Sequence, residues 1–411
     1  MGVDETRVGS GGRTTLREGL MHYAYLIIGG GMTGDSAVRG IREVDERGSI
    51  GMLCAEDHHP YNRPPLTKGL WKGQPEEQIW RDTPGLGAEV HMQRRAVSVD
   101  TGGRTVTDDR GESFTYDKLL LATGGSPKRL PFGGDDINYF RTFDDYRRLR
   151  EQSERATRFV VLGGGFIGSE IAAALAMNGK QVTMLFPEDG VGARIFPASL
   201  GGFLNGYYRE KGVDVRPGEL AAGYERRGDT RILRTKSGAE IQGDGVIAGP
   251  GIAPNTDLAK DAGLQVDNGV VVDEFLRTTK PDVFAAGDVA NFYNPALGHR
   301  LRVEHEDNAN TMGQTAGRNM AGRPEPYHHL PFFYSDLFDL GYEAVGELDS
   351  RLQTVEDWKQ PFREGVVYYL RDGRVRGVLL WNVWEQVDKA RALIAEPGPF
   401  RPQDLKGRLP A

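Results

Sequence analysis

Two G-x-G-x-x-G sets, Gly29-Gly-Gly-Met-Thr-Gly34 and Gly163-Gly-Gly-Phe-Ile-Gly168, constrain this chain more than any other feature. Each comes after a short apolar, partly β-branched run, residues 23–28 in one case and 158–162 in the other. Each leads into a helix-compatible stretch, the second of them the Ala-rich residues 169–178. A strand that turns through such glycines into a helix is the opening of a dinucleotide-binding βαβ unit. The first glycine (Gly29, Gly163) permits the tight turn and the second (Gly31, Gly165) lets the backbone approach a pyrophosphate. The third (Gly34, Gly168) lets the helix lie close to the strand. The helix start offers unpaired N–H groups and the positive end of a dipole to phosphate. Two complete sets predict an α/β chain with two Rossmann-like dinucleotide-binding domains.

The segments downstream of the two sets support an internal duplication. The strand after the first unit, residues 50–55, ends in Glu56, suited to accept from ribose hydroxyls. After the second unit, residues 181–186 put Phe186 where that acid is expected, and Glu188 stands in for it two positions on. Alternating strand-like residues with turn signals then occupy 90–115 in one copy and 212–241 in the other. Both copies close on an apolar run entering a glycine turn: Lys118-Leu-Leu-Leu-Ala122-Thr123-Gly124, and Gly245-Val-Ile-Ala-Gly-Pro-Gly251. A further short strand ends at Gly287 and Asp288. Ligands bind at the carboxyl ends of strands in doubly wound sheets, which makes Asp288 a ligand candidate. From about residue 330 the texture changes to aromatic strands, 366–370 and 375–381, and a helix-like stretch over 387–396, the signature of a separate α+β domain.

Composition removes several function classes. With 411 residues and a formal net charge of −7, the chain has room for two or three domains and no overall attraction to a nucleic-acid backbone. No apolar run approaches the ~18 residues of a membrane span, and no secretory pattern opens the chain, so a cytoplasmic protein without a membrane partner is expected. Cys54 is the only cysteine, which leaves no intramolecular disulfide, no C-x-x-C pair and no cysteine-held iron–sulfur cluster. It lies in an apolar run and reads as a buried, inert thiol. His58-His59 and His328-His329 lack further ligands at metal spacing; they read as surface loops, and no metal is expected.

Five motifs in order, Gly29 to Gly34, Arg63-Pro-Pro-Leu-Thr-Lys68, Ala122-Thr-Gly124, Gly163 to Glu170 and Ala286-Gly-Asp-Val289, make the sequence resemble the FAD/NAD(P)H pyridine nucleotide-disulfide oxidoreductase superfamily, with its glutathione reductase-like fold. Three further stretches resemble most the apoptosis-inducing factor-like and the ferredoxin, rubredoxin and putidaredoxin reductase-like flavoproteins. They are Leu185-Phe-Pro-Glu-Asp-Gly190, Arg302-Val-Glu-His-Glu-Asp-Asn-Ala309, and Tyr334-Ser-Asp-Leu337 with Gly341-Tyr-Glu-Ala-Val-Gly346. The resemblance implies an NAD domain (141–258) inserted in a FAD domain (21–140 and 259–328), and a C-terminal α+β interface domain (329–411). Residues 1–20 read as a disordered tail.

The resemblance also implies roles. The first glycine set, Glu56, Ala122, Thr123, Gly124 and Asp288 would hold FAD, with Arg63 and Lys68 near its pyrophosphate and flavin ring. The second set and Glu188 would hold NAD(H). Glu170 would lie against the nicotinamide, paired with Lys68. Glu304, His305 and Asn308 would open a helix, 304–321, aimed at the flavin, and Phe333 and Tyr334 would stack on the nicotinamide or close the pocket. Hydride transfer needs distance and ring stacking, so Lys68, Glu170 and His305 are expected at the reaction centre as positioning groups. A carboxylate at Glu188 repels a 2′-phosphate, which favours NADH over NADPH, with Arg194 close enough to soften the preference. The implied activity is hydride transfer from NADH to FAD and onward electron transfer to a ferredoxin-type protein, a quinone or oxygen, by a monomer or homodimer. The alternative is a redox-responsive binding protein resembling apoptosis-inducing factor, with a long-lived NADH-reduced charge-transfer complex and altered dimerisation. The segment 346–366 is too short for the regulatory insertion of the mitochondrial proteins.

Overall fold

The computed structural model describes residues 20–409; apart from Leu20, the expected tail lies outside them. Strand β1 (Met21–Ile28) is fully buried over its last four residues because both faces of its sheet are covered. It pairs in parallel with β2 (Ile50–Leu53), which in turn pairs with β3 (Ala88–His91). On its other side β1 takes β4 (Ser113–Leu121), also in parallel, and the strands Thr105–Asp108 and Ala96–Asp100 extend that edge in antiparallel. Helix α1 (Met32–Arg42) supplies the crossover from β1 to β2 that a parallel pair requires.

The chain then passes into a second, wholly parallel sheet. Its five strands run in the spatial order Val213–Pro217, Gln181–Phe186, Arg158–Leu162, Gly245–Ala248 and Ile137–Tyr139. In chain order these are β5 (Ile137–Tyr139), β6 (Arg158–Leu162), β7 (Gln181–Phe186), β8 (Val213–Pro217) and β9 (Gly245–Ala248). The strand β5 precedes the expected domain boundary at residue 141 yet already pairs with β9. Helix α2 (Phe166–Met177) begins three residues before the predicted start at Ser169, because Gly165 is itself its N-cap. The outgoing and returning connections run side by side: Gly125–Pro127 and Ile252–Pro254 pair in antiparallel, and the Thr123 and Asn255 side chains each bond the other's backbone.

On its return the chain adds β10 (Val283–Ala285) along Leu119–Leu121 of β4, beyond the part of that strand paired with Thr105–Asp108, completing seven strands in the first sheet. Helix α3 (Glu306–Met320) lies on α1 with backbones almost in contact. A Cβ at Gly40, Gly313 or Gly317 would collide with a carbonyl oxygen of the facing helix. The C-terminal domain is an antiparallel sheet of β11 (Phe332–Leu337), β12 (Leu340–Gly346), β13 (Gln353–Gln360), β14 (Glu364–Arg371) and β15 (Arg374–Trp381), in the order β11-β12-β15-β14-β13. Its alternation serves two cores. One face, including Val366, Tyr368 and Leu380, buries helix α4 (Val387–Ala395). The other, including Tyr342, Tyr369 and Trp381, is continuous with the core of the second sheet. This docks β11 over the seam between the two dinucleotide domains.

Candidate functional site

The two glycine turns are copies at the level of atoms. Gly29 N–H donates to the Leu53 carbonyl and Gly163 N–H to the Leu185 carbonyl, each at 2.9 Å. Ala122 and Gly249 donate in the same way to Ile28 and Leu162. Gly29 and Gly163 have φ of 128° and 122°, a region side chains disfavour, and Gly34 and Gly168 lie against their carbonyl oxygens. This equivalence corrects one expectation. Cys54 packs beneath Gly30 as Phe186 packs beneath Gly164, so Phe186 is the counterpart of Cys54. Counting from there, Glu56 and Glu188 are equivalent, and the second acid is not displaced.

Both turns open on one cavity of about 1560 Å³ that runs between the sheets of the two dinucleotide domains and under β11. The site residues expected from the sequence line it, with three exceptions. Gly34 and Gly168 sit where helix meets strand, and Asn308 is buried in α3, donating to the Val303 carbonyl at 3.1 Å. Helices α1 and α2 begin at Gly31 and Gly165 with no side-chain cap, which leaves their first N–H groups to a ligand. A Cβ built at either glycine would meet nothing within 4 Å, so the missing side chains are space belonging to the cavity. Two uncapped helix starts at two glycine cradles in one cavity fit two dinucleotide pyrophosphates.

Around the first cradle, Glu56 accepts from Arg63 at 2.7 Å and from the Tyr61 hydroxyl at 2.6 Å. Burial opposes its ionisation, but Arg63 and Tyr61 outweigh it and hold the carboxyl below the usual range. Asp288, on the turn after β10, pairs with Arg141 at 2.7 Å, and Glu304 pairs with Arg302 at 2.6 Å. Around the second cradle, Glu188 pairs with Arg194 at 3.0 Å, a largely exposed guanidinium. Burial drives the Cys54 thiol up to about 11, so it stays protonated, as its place in an apolar run implies.

On α2, just past the second cradle, the three domains converge on Glu170. This carboxylate, 5% exposed on α2, accepts from Lys68 Nζ at 2.7 Å, Thr67 Oγ1 at 2.5 Å and Ser335 Oγ at 2.5 Å. Beside it, His305, at the N-cap position of α3 but with no side-chain cap bond, stacks on Phe333, ring centroids 4.2 Å apart, with Phe166 edge-on to both. Burial pushes the His305 imidazole down to about 4; Asp288 and Asp307 oppose that shift and Lys68 adds to it. Tyr334 points the other way along the strand, 37% exposed, donating to Glu306 at 3.0 Å with Lys68 Nζ 5.3 Å from its ring centre.

Thr67, Ser335, Phe166 and Arg141 also belong to the site, although the sequence does not mark them as candidates. Thr67 adjoins Lys68 in its motif and Phe166 fills a variable slot of the fingerprint, so both were within reach; Ser335 and Arg141 acquire their partners only through the fold. All four paired histidines lie in loops, with His59 and His328 exposed as expected, whereas His58 and His329 are half-buried. His58 packs edge-on to Phe143 and bonds Asp144 at 2.8 Å, while His329 bonds Asp307 at 2.6 Å beside Arg391. Among the described residues no group of three or more His, Cys, Asp or Glu is arranged to hold a metal ion, and no helix is long and apolar enough to cross a membrane.

Comparison with known proteins agrees with this geometry. Residues 23–313 match the family described as pyridine nucleotide-disulphide oxidoreductase. The chain belongs to that family. Segments 316–361 and 355–396 match the C-terminal domain described as "Apoptosis-inducing factor, mitochondrion-associated, C-term". The ferredoxin reductase subunit of 5,5'-dehydrodivanillate O-demethylase from Sphingobium sp. (strain NBRC 103272 / SYK-6) is 35% identical over 91% of this chain and 94% of its own. Apoptosis-inducing factor 1, mitochondrial, of Dictyostelium discoideum is 34% identical, over 90% and 78%. Among solved structures, putidaredoxin reductase in its covalent complex with putidaredoxin superposes with a TM-score of 0.86 at 28% identity, covering 93% of this chain and 95% of that one. This member of the pyridine nucleotide-disulphide oxidoreductase family is an NAD(P)H-dependent flavoprotein oxidoreductase with FAD and NAD(P)H as its cofactors.

Proposed function

We propose that the chain takes hydride from NADH onto FAD and passes the electrons to a ferredoxin-type protein. One observation carries the reading: Lys68 and Glu170, from opposite sides of the cavity that both cradles open on, meet at 2.7 Å, where two dinucleotides lying head to head would bring their redox rings together. When bound, FAD supplies an acceptor for a hydride and a store from which electrons leave singly. The protein's part is placement. The Gly29–Gly34 turn and the start of α1 hold one pyrophosphate, with Asp288 and Glu56 along the same ligand; the Gly163–Gly168 turn and α2 hold the other. Lys68, Thr67 and Ser335 occupy three of the roughly four lone-pair sites of the Glu170 carboxylate, leaving about one for a donor on the nucleotide. His305 is neutral at physiological pH and adds no charge to the ring pocket.

Glu188 supports NADH as the donor, because its carboxylate accepts from ribose hydroxyls and faces a 2′-phosphate as a like charge. Its Arg194 partner is exposed and able to swing, so the preference is moderate. The ferredoxin-type acceptor is supported by two relatives, one named as a ferredoxin reductase subunit and one solved with putidaredoxin. The match to the apoptosis-inducing factor C-terminal domain favours a second reading, a slowly turning-over redox-responsive binding protein. Anaerobic stopped-flow reduction with each nucleotide, and then turnover with a [2Fe–2S] ferredoxin, a quinone and oxygen, tests the proposal. NADH should reduce the flavin about 10-fold faster than NADPH at equal low concentration, a difference of about 1.4 kcal/mol. Equal rates would show that Arg194 cancels Glu188. An NADH-reduced protein that persists in air and ignores all three acceptors would favour the second reading.

A further inference from the structure

Glu170 is held by more than its lysine. Oε1 accepts from Lys68 Nζ and Ser335 Oγ, Oε2 accepts from Thr67 Oγ1, and Ser335 and Thr67 are themselves buried, 1% and 7% exposed. A Lys–Glu pair alone fixes its carboxylate poorly, because the terminal torsion of a glutamate is broad and the lysine stem is flexible. The hydroxyls come from stiffer supports. Thr67 is β-branched and ends the turn Pro64–Thr67, whose two prolines have fixed φ. Its single proton goes to Glu170 at 2.5 Å rather than to the Pro64 carbonyl at 3.4 Å. Ser335 sits in mid-strand on β11, paired with the buried Tyr342, and strand alternation turns it to the same side as Phe333, which stacks on His305.

We propose that Ser335 and Thr67 are positioning residues for hydride transfer, fixing the plane of the Glu170 carboxylate so that its one open lone-pair site keeps a constant direction. The proposal rests on the function argued above and extends it: the C-terminal sheet, which already brings Phe333 against His305, also orients the carboxylate at the reaction centre. Two hydroxyls that merely offset the cost of burying a charge would contribute to stability and leave the reaction rate alone. Positioning residues act on the rate at saturating nucleotide.

The test is anaerobic stopped-flow reduction of the FAD-loaded protein over a range of NADH concentrations, for wild type, Ser335→Ala, Thr67→Val and Thr67→Ser, with FAD content and Tm read on the same samples. In Ser335→Ala and Thr67→Val the limiting rate should fall about 10-fold or more while the apparent Kd for NADH moves less than about 3-fold. Thr67→Ser keeps the hydroxyl and should stay within about 2-fold of wild type. Wild-type limiting rates in both Ser335→Ala and Thr67→Val overturn the proposal, as do equal losses in Thr67→Ser and Thr67→Val, or losses that track FAD content. Should Ser335→Ala fail to fold, the contrast between Thr67→Val and Thr67→Ser decides alone. A wild-type flavin that NADH does not reduce overturns the underlying function, and this proposal with it.

Discussion

His305 couples the site to stability through a proton. Its imidazole is packed against Phe333 and Phe166 at the start of α3, and burial brings it down to about 4 from the ordinary histidine range. The folded state therefore binds fewer protons than the unfolded chain between about pH 6.5 and 4, so stability falls as pH drops through that window and is fully present above it. The loss from this one group is roughly 3 kcal/mol, spread across the window. Replacing the residue by asparagine removes the titration and places a favourable N-cap residue at the start of α3, where the imidazole makes no cap bond. Urea unfolding at pH 7.5, 6 and 5 should show wild type losing stability more steeply than His305→Asn. Parallel pH dependences would mean that water reaches the imidazole and that it titrates normally. Carboxylates such as Glu56 titrate below their usual range in both proteins and drop out of the difference.

Among the elements, the strand–turn–helix units were the most legible, because a glycine set constrains backbone conformation, close approach and ligand access in one short run. Gly165 and Gly168 separate those demands experimentally. A Cβ at Gly168 would collide with the Gly163 carbonyl oxygen, whereas one at Gly165 would meet nothing and enter the cavity. Gly168→Ala should lower Tm by several degrees, the effect of roughly 1–2 kcal/mol in a domain of this size. Gly165→Ala should keep wild-type Tm and FAD content and weaken NADH binding about 10-fold, or about 1.4 kcal/mol, by fluorescence titration. Unchanged NADH affinity in Gly165→Ala would show that the pyrophosphate does not use this turn. Less of the site was legible where partners are distant in sequence. Glu56 and Glu188 were found, but their equivalence was hidden until the residues beneath Gly30 and Gly164 were seen to be Cys54 and Phe186. Ser335 lies within the stretch Tyr334-Ser-Asp-Leu337 that carries the resemblance, but nothing local gives it a role, and only the docking of β11 against α2 makes it a donor to Glu170. The early start of the second sheet escaped for a similar reason: residues 137–139 are too short a run to show which sheet they will join.

At the scale of the whole molecule, the two halves of a duplicated architecture meet at the cavity through the buried Lys68–Glu170 ion pair. Lys68 comes from the side of the first sheet, Glu170 from the helix of the second, and their side chains are 14% and 5% exposed. Breaking a buried pair leaves the remaining charge uncompensated, so either single substitution should disturb the site more than the loss of one attraction implies. Lys68→Ala should leave Glu170 held only by Thr67 and Ser335 and slow flavin reduction by NADH about 10-fold or more, about 1.4 kcal/mol of barrier, with little loss of FAD. Glu170→Ala should do much the same by stranding the lysine. Because the pair acts as a unit, the double variant should be less impaired than the product of the single effects, with a coupling of about 1 kcal/mol or more. Rapid-reaction rates for the four proteins measure that coupling directly. Strictly multiplicative effects would mean that the two domains meet at the cavity without cooperating in it, and that the redox rings are aligned by the cradles alone.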